Sequence, residues 1–297
     1  MRIGVDIGGT KIEAVALDAR GQVLERVRVP TPHDYPATVA TVAHLATELE
    51  ERLQQSGTVG VGMPGTLSPR TGLVKNANTQ SLNGRPLADD LSAALGREVR
   101  CANDADCFAA SEALDGSAAG ADVVFAAILG TGCGGGLAIA GRVHAGRGGL
   151  CGEWGHNALP WPEANEYPGP ECYCGKRGCL EGWVSGPGFA ADYARVAGRQ
   201  LTAEQIAAEA AQGDADACAA LSRYESRLAR GLATVVNLLD PDVIVLGGGM
   251  SNVANLYESL PRLVPRYVFG GECDTPILQA LHGDASGVRG AAALWSD

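Results

Sequence analysis

The stretch RIGVDIGGTKIEAVAL, residues 2–17, decides the fold of this chain. Two short apolar runs flank the turn Gly8-Gly9-Thr10, a pattern that predicts two strands joined by a glycine turn. A further apolar run at residues 23–29 follows the turn at residues 18–21 and predicts a third strand. The simplest interpretation is a meander of three strands whose first turn is rich in glycine.

A similar pattern returns near residue 123. The apolar run 123–129 ends in GTGCGGG, residues 130–136, which predicts a second glycine turn, and a strand over 137–140 follows it. Asp6-Ile7-Gly8-Gly9-Thr10 and Ile128-Leu129-Gly130-Thr131 occupy the same place in the two patterns. The repeat indicates an internal duplication, although two glycine turns can also arise by chance.

Helices and strands alternate in the rest of the chain, which is typical of an α/β fold. The apolar spacing predicts helices over 36–55, 89–95 and 104–114, strands over 59–63 and 98–101, and mostly helix from 187 to 239. A buried strand over 242–246 precedes Gly247-Gly248-Gly249, and a last strand and helix lie between 275 and 294. Residues 148–186 show little periodicity and predict an irregular segment.

Composition narrows the class of protein. The 297 residues carry a net charge of -11 and no run of lysine or arginine, so nucleic acid is not an expected partner. No apolar run approaches the roughly 18 residues that span a bilayer, and the N-terminus has no secretory leader pattern. We expect a cytoplasmic protein whose nine cysteines are reduced.

Three predicted strands end in glycine turns, at residues 8–10, 130–132 and 247–249. Glycine allows backbone N–H groups to approach a phosphate or a nucleobase closely, although each turn could equally be a simple tight turn. The sequence contains no G-x-x-x-x-G-K-[ST] loop and no dinucleotide-binding fingerprint after a first strand. A nucleotide would therefore be held by two glycine turns.

Two aspartates lie at the ends of predicted strands. Asp6 precedes the first glycine turn, where a carboxylate can organise Mg²⁺ beside the phosphates of ATP or can stabilise the turn itself. Asp104 lies between a strand and a helix, where it could accept the proton of a hydroxyl during phosphoryl transfer or cap the helix.

EWGH at residues 153–156 and CYCGKRGC at residues 172–179 predict a metal site. One imidazole and three thiolates form a complete tetrahedral set for zinc with no open position, which indicates a structural ion. The second nitrogen of His156 could then donate to a substrate hydroxyl. Glu153, Glu181 and amides such as Asn103 suit a sugar, although exposed surface is the ordinary alternative.

Taken together, these motifs resemble the ROK family of bacterial sugar kinases and repressors, and the resemblance covers nearly the whole chain. It implies an actin/hexokinase-like, ribonuclease H-like α/β fold, duplicated in two lobes that close over ATP and sugar. The expected lobes are residues 1–117, onto which the C-terminal helix can pack back, and residues 118–297. The resemblance also implies a homodimer.

The resemblance implies roles for individual residues. Asp104 would be the catalytic base, and ATP with Mg²⁺ would bind at Asp6, Gly8, Gly9, Thr10, Lys11, Gly130, Thr131, Gly132, Gly247, Gly248 and Gly249. The sugar would bind at Gly65, Asn78, Asn103, Asp104, Glu153, His156 and Glu181. Zn²⁺ would bind at His156, Cys172, Cys174 and Cys179. One departure is Cys-Tyr-Cys at residues 172–174, where many members have Cys-Gly-Cys.

The resemblance also separates the possible functions. Repressors of the family carry a helix-turn-helix module before the first glycine turn, and here that turn begins at Asp6, which predicts a kinase. A non-catalytic sugar sensor is the competing class, and the presence of Asp104 argues against it. The amino-acid sequence is most similar to that of fructokinases that also accept mannose at residues 75–78, 153–157, 159–161 and 269–273. N-acetylglucosamine, N-acetylmannosamine and glucose kinases are the alternative.

Overall fold

The structure is a computed structural model that describes residues 1–295 and, within them, every side chain except that of Asp284. The chain divides into two compact units. Unit 1 comprises Met1–Gly120, Gly136–Cys151 and Leu281–Asp297, and unit 2 comprises Ala121–Gly135 and Gly152–Ala280.

Unit 1 contains a five-stranded sheet with the strand order β3-β2-β1-β4-β7. Its strands and those of a small ribbon are β1 (Arg2–Ile7), β2 (Lys11–Leu17), β3 (Val23–Pro30), β4 (Thr58–Met63), β5 (Thr66–Leu67), β6 (Val74–Lys75) and β7 (Val99–Asn103). Strands β1, β2 and β3 are antiparallel, whereas β4 and β7 run parallel to β1. Ile7 pairs with Ile12, which places the first glycine turn between them. The predicted meander is confirmed.

Three helices of unit 1 follow in chain order: α1 (Tyr35–Leu53), α2 (Leu87–Leu95) and α3 (Asp104–Leu114). Helix α1 begins where the Asp34 carboxylate accepts the backbone N–H of Ala37. Its buried Val42, Leu45 and Leu49 form one apolar stripe that packs into the core of the unit.

The second sheet repeats the topology of the first. Its strands are β8 (Val123–Leu129), β9 (Cys133–Ile139), β10 (Arg142–Val143), β11 (Val243–Gly247) and β12 (Ile277–Gln279). Their order, β10-β9-β8-β11-β12, again places an antiparallel hairpin beside two strands that run parallel to the first one, and the boundary between the units falls within β9. The predicted duplication is therefore confirmed.

Five helices complete unit 2: α4 (Glu181–Val184), α5 (Gly186–Ala197), α6 (Ala203–Ala211), α7 (Ala215–Leu239) and α8 (Leu256–Leu263). Helix α7 has 25 residues and contributes Leu221, Leu228 and Leu232 to the core of the unit. These side chains pack in one cluster with Trp183 and Phe189.

The glycine run at 130–136 differs from the expectation, since it is only partly a turn. The turn covers 130–132, and β9 begins at Cys133. A Cβ atom added at Gly136 would lie 2.2 Å from the carbonyl oxygen of Ala105, and one at Gly135 would lie 2.9 Å from Trp154. These glycines therefore permit close packing within a strand, a role that sequence alone does not distinguish from turn formation.

The last helix, α9 (Ser286–Ala293), belongs to unit 1 and packs against β1, β4 and α3. The approach is close, because a Cβ atom at Gly4 or Gly60 would lie 1.9 Å from a carbonyl oxygen of α9. The buried carboxylate of Glu112 fixes the start of this segment by accepting the N–H groups of Leu281 and His282.

Residues 148–186 contain short helical turns and no long strand, as expected, and a buried ion cluster ties them to α7. The Glu166 side chain is 4% exposed and accepts bonds of 2.7–2.8 Å from Arg227 and Arg230. Arg230 also donates to the carbonyl of Trp161 at 2.8 Å. These contacts replace the ladder bonds that the segment lacks.

Among residues 1–295, no helix has the length and apolar character needed to cross a membrane.

Candidate active site

The first glycine turn joins β1 to β2 in unit 1. The N–H of Gly8 donates to the Lys11 carbonyl at 2.9 Å, and the Thr31 hydroxyl donates to the Gly8 carbonyl at 2.7 Å. A Cβ atom at Gly9 would meet nothing within 4 Å. The backbone at Gly9 and Thr10 therefore faces open space, where its N–H groups can approach an anion.

Lys11 extends from the end of this turn toward Glu13. Its Nζ lies 3.6 Å from Glu13 Oε2, and the Glu13 side chain is only 3% exposed. Arg26 and Arg28 of β3 also bind this carboxylate. This network holds the ammonium group of Lys11 beside the glycine turn.

Asp6 lies at the end of β1, close to Asp104. Burial, followed by the negative charges of Asp104 and Glu13, raises the pKa of Asp6 to about 6, and Lys11 opposes this shift. Burial and the nearby carboxylates thus disfavour the ionised form of Asp6, and a bound cation would favour it.

Asn103 and Asp104 begin α3. Asn103 caps the helix: its Oδ1 accepts the N–H of Ala105 at 2.8 Å, and its Nδ2 donates to the Gly65 carbonyl at 2.9 Å. Asp104 is exposed at this position, and its Oδ1 also accepts the Ala105 N–H at 2.8 Å. Desolvation by the surrounding protein raises the pKa of Asp104, while the hydrogen bond from Ala105 partly lowers it.

Gly65 and Asn78 lie in the loops that follow β4 and β6. Gly65 has a φ of +73°, and a Cβ atom there would lie 2.4 Å from the Lys75 carbonyl oxygen, so only glycine fits. The Asn83 side chain binds both the N–H and the carbonyl of Ala77, at 2.9 and 2.8 Å. This clamp fixes the turn that presents the exposed Asn78.

The second and third glycine turns lie side by side in unit 2, because Ile128 of β8 pairs with Gly247 of β11. Gly248 has a φ of +79°, and a Cβ atom there would lie 2.6 Å from the carbonyl of Leu129. The N–H of Gly186, at the start of α5, donates to the Gly130 carbonyl at 2.8 Å. Two glycine turns and a helix N-terminus thus meet at one place.

A cavity of about 420 Å³ lies at these turns and adjoins a second one of about 810 Å³. The smaller is lined by Gly130 and Thr131, and the two share Ala203, Glu204, Gly249 and Met250. The larger extends between α6 and α7 over a mostly apolar lining. The sequence analysis did not predict that α6 and α7 line a cavity. The small side chains spaced four residues apart on α6, at alanines 203, 207 and 211, could have indicated an open face on that helix.

His156, Cys172, Cys174 and Cys179 form a compact cluster in unit 2. Their ligand atoms all lie within 4.8 Å of one another, with 3.6 Å between Cys172 Sγ and His156 Nδ1 and 3.6 Å between Cys174 Sγ and Cys179 Sγ. Metal–ligand bonds of about 2.0–2.3 Å in a tetrahedron separate neighbouring ligands by roughly 3.5–3.8 Å. The four residues therefore fit a tetrahedral ion with closed coordination.

Glu181 connects the cluster to the second glycine turn. Its Oε2 accepts the N–H of Cys133 at 3.0 Å, and its Oε1 lies 4.0 Å from Cys172 Sγ. His156 Nε2 meets the Tyr173 hydroxyl at 3.0 Å, a contact that the sequence did not predict. Desolvation and then the charges of Glu181 and Glu153 raise the pKa of Tyr173 to about 12, so this phenol lies near the residues predicted to bind sugar.

The ROK family model matches residues 2–297. The chain belongs to the ROK family. One ROK relative, an N-acetyl-D-glucosamine kinase of Haemophilus influenzae (strain 86-028NP), is 40% identical over 99% of both chains. Among solved ROK structures, a hexokinase from Thermus thermophilus is 33% identical, with a TM-score of 0.87 over 99% of this chain and 97% of that one.

Another solved ROK structure, a glucokinase from Streptomyces griseus in complex with glucose and AMPPNP, is 28% identical. Its TM-score is 0.76 over 99% of this chain and 98% of that chain. The predicted ROK membership and the actin/hexokinase-like, two-lobe α/β fold are confirmed, and the chain is a sugar kinase of that family.

Proposed function

We propose that this protein transfers the γ-phosphate of ATP to the 6-hydroxyl of a free hexose, with Asp104 as the catalytic base. The observation that carries the proposal is the placement of Asp104. Asp104 begins α3, is an exposed residue, and lies close enough to Asp6 for their charges to interact.

The geometry of Asp104 suits proton acceptance. The N–H of Ala105 holds one carboxylate oxygen at 2.8 Å and so orients the group. The raised pKa makes the carboxylate a stronger base than an ordinary aspartate. It can therefore take the hydroxyl proton as the sugar oxygen attacks the γ-phosphorus in line.

The nucleotide would bind at the three glycine turns. The open backbone at Gly9 and the turn at residues 130–132 suit the phosphates, and Lys11 supplies positive charge. Bound Mg²⁺ would neutralise phosphate charge, with Asp6 holding the ion or its waters. The apolar cavity between α6 and α7 suits adenine, with Gly249 at its edge and Gly247 and Gly248 just before it in the chain. The Streptomyces griseus relative was solved in complex with AMPPNP, which supports a nucleotide as the ligand.

The proposed sugar ligands are those implied by the family resemblance. We assign to the sugar Gly65, Asn78, Asn103, Asp104, Glu153, His156 and Glu181. N-acetylglucosamine is the first candidate, because a relative of that name is 40% identical over 99% of both chains. Fructose, which the sequence analysis predicted, becomes the second candidate. It is supported by the similarity of residues 75–78 and 269–273 to fructokinase sequences.

The metal is proposed to be a structural Zn²⁺ bound by His156, Cys172, Cys174 and Cys179. Three thiolates with one imidazole favour zinc, and the ligand spacing fits it. The ion would cross-link residues 156–179, which have few ladder bonds. The expected homodimer rests on the family resemblance, and the expected cytoplasmic location rests on the sequence pattern.

A coupled ADP-release assay tests the proposal. The wild-type protein with Mg-ATP would be offered N-acetylglucosamine, N-acetylmannosamine, fructose, mannose and glucose, with Asp104→Asn as the matched control. We expect sugar-dependent ADP release from the wild type and almost none from the control. Turnover with fructose above N-acetylglucosamine would favour the second candidate, and silence on every sugar would contradict a hexose kinase.

A further inference from the structure

Tyr173 lies between two cysteines of the metal cluster, and its side chain covers His156. The Tyr173 hydroxyl is 3.0 Å from His156 Nε2. The two rings meet edge to face, with centroids 5.1 Å apart and planes at 84°. Tyr173 is nevertheless 83% exposed, so the phenol rests on the surface of the cluster and is not part of the core.

The two nitrogens of His156 face in different directions. Nδ1 lies 3.6 Å from Cys172 Sγ, on the side of the cluster, and Nε2 points to Tyr173. A metal on Nδ1 leaves the single ring proton on Nε2, which makes that nitrogen a donor of one hydrogen bond. In this structure the Tyr173 oxygen takes the position of the acceptor. A sugar hydroxyl that accepts from Nε2 must therefore displace Tyr173.

We propose that Tyr173 is a specificity-determining residue of the sugar site: its hydroxyl competes with the sugar for Nε2–H of His156, and its ring limits the size of the sugar substituent beside that nitrogen. The inference rests on the proposed function, since it takes His156 to be a sugar ligand. It goes further by assigning a role to the residue at which this chain departs from the Cys-Gly-Cys wording.

Removal of the phenol leaves the loop intact. The backbone of the cluster is held by Cys172 N–H to the Lys176 carbonyl at 2.9 Å and by Gly175 N–H to the Cys172 carbonyl at 3.0 Å. Neither bond uses the Tyr173 side chain. Tyr173→Phe and Tyr173→Gly therefore separate the hydroxyl from the ring without removing a metal ligand.

Calorimetric titration of N-acetylglucosamine, fructose and glucose into the wild type and both variants tests the inference. Tyr173→Phe is expected to lower the Kd of every bound sugar by roughly two- to tenfold, because no internal acceptor must be displaced. Tyr173→Gly is expected in addition to favour N-acetylglucosamine over fructose by about tenfold, because space opens for the acetamido group. The change should appear in Kd and KM, with kcat within about twofold.

Tyr167→Phe is the matched control, because Tyr167 is 79% exposed in the same irregular segment. Zinc content, measured for each variant, shows whether the cluster is intact. Unchanged Kd values in both Tyr173 variants, or weaker binding in Tyr173→Phe, would overturn the inference while leaving the proposed function in place. A wild type that binds none of the sugars would overturn both.

Discussion

At the scale of single residues, Asp6 and Asp104 influence each other through charge. Asp6 lies one residue before the end of β1 and Asp104 begins α3, and the parallel neighbours β1, β4 and β7 bring these positions to the same edge of the sheet. The position of each aspartate after a strand could be predicted from sequence. The raised pKa of Asp6 could not, because it depends on burial and on neighbours that are distant in the chain.

Replacement of the proposed base tests its role directly. Asp104→Asn keeps the size of the side chain but removes the proton acceptor, so kcat should fall by about 10²–10⁴-fold. The Kd for sugar, measured by calorimetry, should stay within about tenfold of the wild-type value. Loss of sugar binding with kcat preserved at saturation would instead make Asp104 a binding residue only.

Asp6→Asn should stabilise the fold at neutral and higher pH. Because folding raises the pKa of Asp6 from 3.8 to about 6, the ionised form is disfavoured in the folded state. This cost is fully present above pH 6, shrinks as pH falls toward 4, and vanishes where the carboxyl is protonated in both states. We expect a gain of up to about 3 kcal/mol in the free energy of unfolding at pH 8 and none near pH 3.

Urea unfolding at the two pH values measures this difference. The same variant should also need a higher Mg²⁺ concentration to reach its maximal kcat. An Asp6→Asn protein that is no more stable than the wild type at pH 8 would contradict the burial of an ionised carboxylate.

At the scale of elements, the segment 148–186 has two anchors. The cluster of one histidine and three cysteines could be predicted from the spacing of its ligands. The ion pairs of Glu166 with Arg227 and Arg230 could not, since a charged residue in a sequence gives no sign that it will be buried 61 and 64 positions from its partners. The contact of Tyr173 with His156 was equally hidden, because it depends on the direction of a side chain.

Removal of a metal ligand should loosen the segment locally. Cys179 is 2% exposed, and Cys179→Ser or chelation is expected to release zinc and increase amide exchange over residues 156–179. Sugar binding should weaken more than AMPPNP binding, because His156 belongs to the cluster. Equal loss of both ligands would show that the ion supports the whole fold.

Glu166→Gln should destabilise the protein by about 3–5 kcal/mol, because it leaves the buried Arg230 without a carboxylate partner and Arg227 with Asp192 alone. The arginines lower the pKa of Glu166 to about 2. The stabilisation is therefore present above pH 4.5 and is lost as pH falls from there toward 2.

Glu171→Gln is the control for this substitution, because the Glu171–Arg177 pair is exposed in the same segment and should cost no more than about 1 kcal/mol. Similar free energies of unfolding for the two variants in chemical denaturation would show that the Glu166 cluster does not anchor the segment.

At the scale of the whole chain, the duplication was visible in two glycine turns and their flanking strands. The strand orders β3-β2-β1-β4-β7 and β10-β9-β8-β11-β12 repeat one topology, and the repeat follows from the same pattern of apolar runs. The return of α9 to unit 1 depends on close packing at Gly4 and Gly60, which a periodicity argument does not show.

The preference for one sugar is also a property of the whole chain, and it could not be predicted from residue chemistry. Carboxylates, amides and a histidine bind the hydroxyls of any hexose, and the choice depends on the space around them. The sequences of the motifs predicted fructose as the substrate, whereas the similarity to the N-acetyl-D-glucosamine kinase of Haemophilus influenzae favours N-acetylglucosamine.

Identification of the product tests the central claim most directly. Wild-type protein and Asp104→Asn would be incubated with Mg-ATP and N-acetylglucosamine or fructose, and the products examined by ³¹P and ¹³C NMR. Transfer to the 6-hydroxyl predicts one sugar phosphomonoester, with carbon 6 coupled to phosphorus, in amounts equal to ADP, and almost none from the variant in the same time. ADP without a sugar phosphate, phosphate on another hydroxyl, or equal product from the variant would contradict it.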